Sequence, residues 1–70
     1  MIVKAKVDFT IYIGNYIKKI FVAGNEYYAY KSDEIADCYI VLDEFNVLYT
    51  ISEHRLKTDF DIITDEVEDL

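Results

Sequence analysis

Residues 3–13 alternate without a break. Val3, Ala5, Val7, Phe9, Ile11 and Ile13 fall on one side, and Lys4, Lys6, Asp8, Thr10 and Tyr12 on the other. A period of two with β-branched and aromatic residues predicts a strand with one buried face. The run is longer than most strands, so it should bend or feed a loop before its end. Gly14-Asn15 and Gly24-Asn25 are turn signals, because both residue types tolerate positive φ. Residues 16–23 read as a strand or an ordered loop, and residues 26–31 as a strand. Residues 32–37 form a polar break, where Ser32 is placed to cap a single helical turn. Residues 38–42 and 47–51 flank Asp43-Glu44-Phe45-Asn46, a four-residue hairpin loop. Tyr39 and Tyr49 are expected to lie across from one another on this hairpin, on the face opposite Cys38, Ile40 and Leu42. Ser52 should cap a short helical turn over residues 52–56. Residues 59–63 read as the last strand. The expected organisation is one domain over residues 1–64 and an acidic tail over 65–70.

The element order is then strand, long loop, strand, strand, tight hairpin, strand, helical turn, short strand. Particular residues mark it: Phe21-x-x-Gly24-x-Glu26-Tyr27 entering a strand, Tyr39-Ile40-Val41-x-Asp43-Glu44 reaching the hairpin tip, Tyr49-x-Ile51-Ser52 leading to the turn, and Phe60-x-Ile62-Ile63 closing the chain. In this the chain resembles the small SH3-like proteins of phages and prophages. The resemblance implies an all-β, five-stranded SH3-like barrel with a short helical turn before its last strand. It also implies an accessory role, binding and modulating host or phage proteins, in the cytoplasm of the host. It does not extend to the polyproline-binding SH3 domains, since the chain has no Trp and no Pro.

Composition narrows the chemistry. Seventy residues make at most one small core. With one cysteine there is no disulfide to support it, so seven Tyr and four Phe must supply much of the buried area, and a homodimer is a second source of stability. The lone Cys and the absence of a leader pattern point to a reducing cytoplasm. The net charge of −7 argues against a nonspecific nucleic-acid binder and against an anionic membrane surface. No apolar run is long enough to span a bilayer as a helix. The charge is also split. Residues 1–31 hold five lysines and two acids, net +3, whereas residues 32–70 hold twelve acids against Arg55 and Lys57, net −10.

Catalysis has little to build on. His54 is the only histidine and Cys38 the only cysteine, and the two glycines cannot form a phosphate loop. No catalytic residue, metal ligand or cofactor is expected, and the chain reads as a non-enzyme. The binding candidates are the acids Asp33, Glu34, Asp37, Asp43, Glu44, Asp59 and Asp61 together with Tyr39 and Tyr49. They suggest a surface for a host or phage protein with a basic face, such as a nucleic-acid-handling or defence protein inhibited by imitation of a phosphate backbone. Two other readings stay open: a small homo-oligomer used in assembly, and a nucleic-acid patch of Lys4, Lys6, Lys18 and Lys19 with Tyr12 and Tyr16.

Overall fold

A computed structural model describes residues 1–64, and the acidic tail expected over 65–70 lies outside the described residues. Among the described residues the chain is mostly β, with one short helix. Its elements are β1 (Ile2–Ala5), β2 (Phe9–Ile13), β3 (Tyr16–Phe21), β4 (Glu26–Lys31), β5 (Cys38–Leu42), β6 (Leu48–Ser52), α1 (Glu53–Asp59) and β7 (Phe60–Thr64). They form a five-stranded antiparallel sheet in the order β6-β5-β4-β1-β7 and a separate two-stranded ribbon, β2-β3.

Among the described residues seven strands stand where five were expected. One of the two additional strands is β3, over residues read as a strand or an ordered loop, and the other comes from the alternating run at the N-terminus, which the structure divides between the two sheets. The chain leaves β1 at Lys6, whose N–H donates to the Asp59 carbonyl (2.8 Å), and re-enters extended structure at Phe9. Asp8 helps anchor the new direction: its carboxylate accepts from the Ala23 N–H at 2.7 Å and meets Lys19 Nζ at 3.2 Å. Those two partners hold its pKa below the usual carboxylate value. β2 then pairs with β3 around Gly14-Asn15, and Gly14 takes φ of +59° in the turn, a conformation that costs glycine nothing.

The core lies between the inner face of the large sheet, the base of the ribbon and α1. Val3, Ala5, Tyr27, Ala29, Val41 and Ile51 come from the sheet, Ile20 and Phe21 from β3, Leu56 from α1, and Phe60 from β7. Phe21 is its centre. Phe9, Tyr27 and Phe60 meet it edge-on, with ring centroids 4.9 to 5.4 Å away, and Tyr49 approaches at 6.0 Å. Phe9 also stacks on Phe60 at 5.5 Å. These are the offset and T-shaped geometries that ring quadrupoles favour.

α1 begins where expected. The Ser52 hydroxyl accepts from the Arg55 N–H at 3.1 Å, and Leu56 is the residue it buries. The pairs Arg55–Asp59 and Lys57–Glu53 run along its exposed side at i,i+4 spacing. Ser32 caps no helix. Its hydroxyl accepts from the Glu34 and Ile35 N–H groups in an open loop between β4 and β5. Among the described residues, no helix is long and apolar enough to cross a membrane.

Candidate interaction surface

In a half-buried antiparallel sheet the face away from the core is normally polar. Here it is not. With Val41 and Ile51 pointing inward, the pleat sends Tyr28 and Tyr30 of β4, Ile40 and Leu42 of β5, and Leu48 of β6 to the outer face. The register aligns Tyr30, Ile40 and Thr50 in one row across three strands, with Leu42 beside Leu48. Tyr28, Tyr30 and Leu48 are exposed, and Tyr30, Ile40, Leu48 and Thr50 floor an open cavity of about 420 Å³. Its rim is Ser32, Asp33 and Glu34 from the loop after β4. Two of the acids expected at a binding surface therefore sit over an apolar, tyrosine-bearing floor. Asp37, at φ +58°, belongs to the same loop, and its carbonyl accepts from the Glu53 N–H at 2.8 Å.

The other expected residues are placed differently. Tyr39 pairs with Ile51 and Tyr49 with Val41, so the two tyrosines are diagonal neighbours on the inner face, half-buried against the core. Asp43 is buried, and its Oδ1 accepts from the Phe45 N–H at 2.7 Å and the Val47 N–H at 2.9 Å. This carboxylate builds the β5–β6 turn from within. Glu44 spans from the same turn to the loop before β4. Its Oε1 accepts from the Tyr27 hydroxyl at 2.5 Å and from Asn25 Nδ2 at 2.8 Å, while Tyr27 itself accepts from the Val22 N–H at 2.7 Å. Asp59 is held by Arg55 Nε at 3.0 Å, and Asp61 by Lys6 Nζ at 3.5 Å. Of the seven acids, the structure gathers Asp33 and Glu34 at the cavity and gives Asp43, Glu44, Asp59 and Asp61 partners within the chain.

The Tyr27–Glu44 bond makes stability depend on pH at both extremes. Hydrogen bonds from Tyr27 and Asn25 hold the Glu44 pKa below its ordinary 4.5, so its contribution is present above that value and fades as acid protonates the folded state. Burial, reinforced by the Glu44 charge, raises the Tyr27 pKa above 10.0, so its contribution is complete below pH 10.0 and is lost as alkali ionises the folded phenol. Tyr27→Phe leaves the Val22 N–H and Glu44 without this partner and is expected to cost about 1–3 kcal/mol at neutral pH. Urea midpoints across pH should show the Tyr27→Phe deficit closing in alkali and a Glu44→Gln deficit closing in acid. Parallel pH profiles for both variants and the parent would refute the assignment.

The basic patch is largely engaged as well. Lys6 and Lys19 are in ion pairs, and Lys18 Nζ lies 4.0 Å from the centroid of Phe45. A second open cavity, about 350 Å³, lies in the seam between β3 and β6, with Phe9, Phe21 and Tyr49 as its aromatic lining and Arg55 at one side. Arg55 is committed there to Asp59 and to the face of Phe9 at 5.5 Å. His54 is on the exposed side of α1, and Cys38 is a half-buried free thiol opposite Ser52. Among the described residues, no three His, Cys, Asp or Glu side chains are grouped to hold a metal ion.

Comparison with family models, with curated proteins and with solved structures finds no match to this chain.

Sequence reasoning missed Tyr30, Ile40 and Leu48 as a unit. The signal was present in the sequence. Both faces of β5 are apolar, Cys38, Ile40 and Leu42 on one and Tyr39 and Val41 on the other. A strand apolar on both faces is covered on both faces or offers one of them to a partner.

Proposed function

We propose that this chain is a non-enzymatic protein-interaction module of the SH3-like barrel type, whose outer sheet face takes a basic, apolar segment of a protein partner. The barrel reading is supported by the sheet order β6-β5-β4-β1-β7, by the ribbon inserted after β1, and by the helix immediately before β7. The observation that carries the function is the uncovered Tyr30-Ile40-Leu48 floor beneath Asp33 and Glu34. A partner aliphatic or aromatic side chain would displace water from the floor, and a neighbouring Lys or Arg would meet the rim. Burial of the floor would supply affinity, and the acids orientation and on-rate.

Imitation of a phosphate backbone is less well supported than docking of a peptide segment. Asp43 and Glu44 are turned to structural work, and Asp59 and Asp61 are already paired. What remains at the cavity is a short acidic rim, not a ladder of charges. The accessory role implied by the phage resemblance accommodates such a docking face.

Titration of the isotope-labelled protein with short Lys/Arg-containing peptides bearing Ile, Leu or Tyr tests this. Amide shifts should concentrate at Tyr30, Ile40, Leu48 and residues 32–34, and affinity should fall with salt. Asp33→Lys/Glu34→Lys should weaken binding at least tenfold without changing the thermal midpoint. Shifts confined to the β3–β6 seam, or unchanged affinity in the charge-reversed variant, would overturn the assignment.

A further inference from the structure

The β2-β3 ribbon carries a second uncovered apolar surface. Its base is anchored: Phe9, Ile11, Ile20 and Phe21 pack on or in the core, and the Glu44 N–H donates to the Ile20 carbonyl at 2.9 Å. Beyond Ile11 and Lys18 the anchoring ends. Tyr12 opposite Ile17 and Ile13 opposite Tyr16 are all exposed, Tyr12 and Tyr16 to 75% and 61%. The pleat puts one pair on each face of the ribbon, so its end is an apolar arm. Residues 9–17 carry no charge, and the arm then meets Lys18 and Lys19. A two-stranded ribbon with nothing against it is only marginally stable in water, and four exposed Tyr and Ile side chains make an uncovered arm a liability.

We infer that the arm of one copy docks on the acid-rimmed outer face of a second copy, and that the exchange is reciprocal about a two-fold axis. The inference rests on the reading of that face as a binding surface and names its occupant. Charge complementarity supports it. The arm is itself uncharged and belongs to the half of the chain with net +3; the lysines at its stem lie against Phe45 and Asp8, with the Lys19 side chain still half-exposed, while the rim acids belong to the half with net −10. Chemistry matches too: the arm offers Tyr and Ile, and the face offers Tyr30, Ile40 and Leu48. Area is adequate. Two arms present four tyrosines, which at these exposures supply about half of the ~1,000 Å² that a specific interface needs, and the isoleucines and the two sheet faces supply the rest. Reciprocal exchange closes the assembly at two copies and leaves no free arm to recruit a third.

Light scattering over a concentration series, with two variants and their mixture, tests the inference. The parent should rise from 8.2 kDa towards twice that mass. An arm variant, Tyr16→Asp/Ile17→Asp, and a face variant, Tyr30→Asp/Leu48→Asp, should each associate at least tenfold more weakly. An equimolar mixture of the two should recover a heterodimer, because the intact arm of one meets the intact face of the other. Ile17→Asp and Leu48→Asp as single substitutions give the same readout if a double variant does not fold. A parent that is monomeric at millimolar concentration overturns the proposal, and so does a dimer that survives the face variant, which would pair arm to arm. A monomeric parent that partitions onto phosphatidylcholine vesicles through the arm overturns it in favour of a lipid surface. The peptide titration separates the levels: peptide binding at Tyr30 and Leu48 with a monomeric parent refutes only the self-exchange, whereas failure of both refutes the reading of the face.

Discussion

Phe21→Ala is expected to be the most destabilising single substitution in the protein, removing a large share of its folding free energy. Phe21 is fully buried, and four other rings surround it, from β2, β4, β6 and β7. Truncation removes the apolar surface, opens a cavity among rigid aromatic neighbours, and ends every edge-to-face contact at once. Losses for Phe→Ala at such sites are about 3–5 kcal/mol. A domain of this size has about 4–10 kcal/mol in total. Phe21 is also a main contact between the ribbon and the large sheet, so the loss should be cooperative and not confined to β3. Urea unfolding followed by near-ultraviolet circular dichroism of the tyrosines would measure it. A loss below ~1 kcal/mol would show that the cluster does not carry the fold.

Asp43→Ala should be the next most damaging change, at about 2–4 kcal/mol. It leaves the Phe45 and Val47 N–H groups without their acceptor in a turn where Asn46 already takes φ of +62°. The remaining turn bonds, from the Asp43 N–H to the Val47 carbonyl and from the Asn46 N–H to the Asp43 carbonyl, do not replace it. Asp43→Asn keeps the accepting Oδ1. It also puts an amide donor where the buried Oδ2 has no hydrogen-bond partner, so its loss should lie between the parent and Ala. Equal stability of Asp43→Ala and the parent would sink this account. The result bears on how binding data are read, because charge reversal at Asp43 would abolish binding by unfolding the turn, whatever surface the partner uses.

Much of the fold was legible in the sequence. The β5–β6 hairpin, the Ser52 cap and the final strand rest on local signals that tertiary context did not override: strand-forming residues flanking a short polar loop, and a hydroxyl before a helical turn. What could not be read was where the alternation at residues 3–13 breaks. Val7 and Asp8 keep the period of two while the backbone changes sheets, and periodicity reports the side a residue faces, not the neighbour its strand acquires. The same ambiguity hid the candidate surface. Both faces of β5 are apolar, and the choice between them was made by Phe21, which draws Tyr27 and Tyr49 inward and so leaves Tyr30, Ile40 and Leu48 outside. Among the acids, charge alone gave no sign that Asp43 and Glu44 act as hydrogen-bond acceptors. Their positions at the turn were visible, but the N–H groups and the phenol that they satisfy were not.

The place of β1 in the sheet governs how the domain is made. β1 is laid between β4 and β7, the last strand described, and it pairs with both. A chain emerging from the ribosome can form the β2-β3 ribbon and the β5–β6 hairpin from contacts a few residues apart. β1, once paired with β4, must keep its other edge open until residues 60–64 have left the exit tunnel. Closing the sheet is therefore the last pairing to form among the described strands. Until then Val3 and Ala5 present an open strand edge to whatever the crowded cell offers. Short strands and the two lysines at positions 4 and 6 are the chain's own guard against pairing with the wrong one.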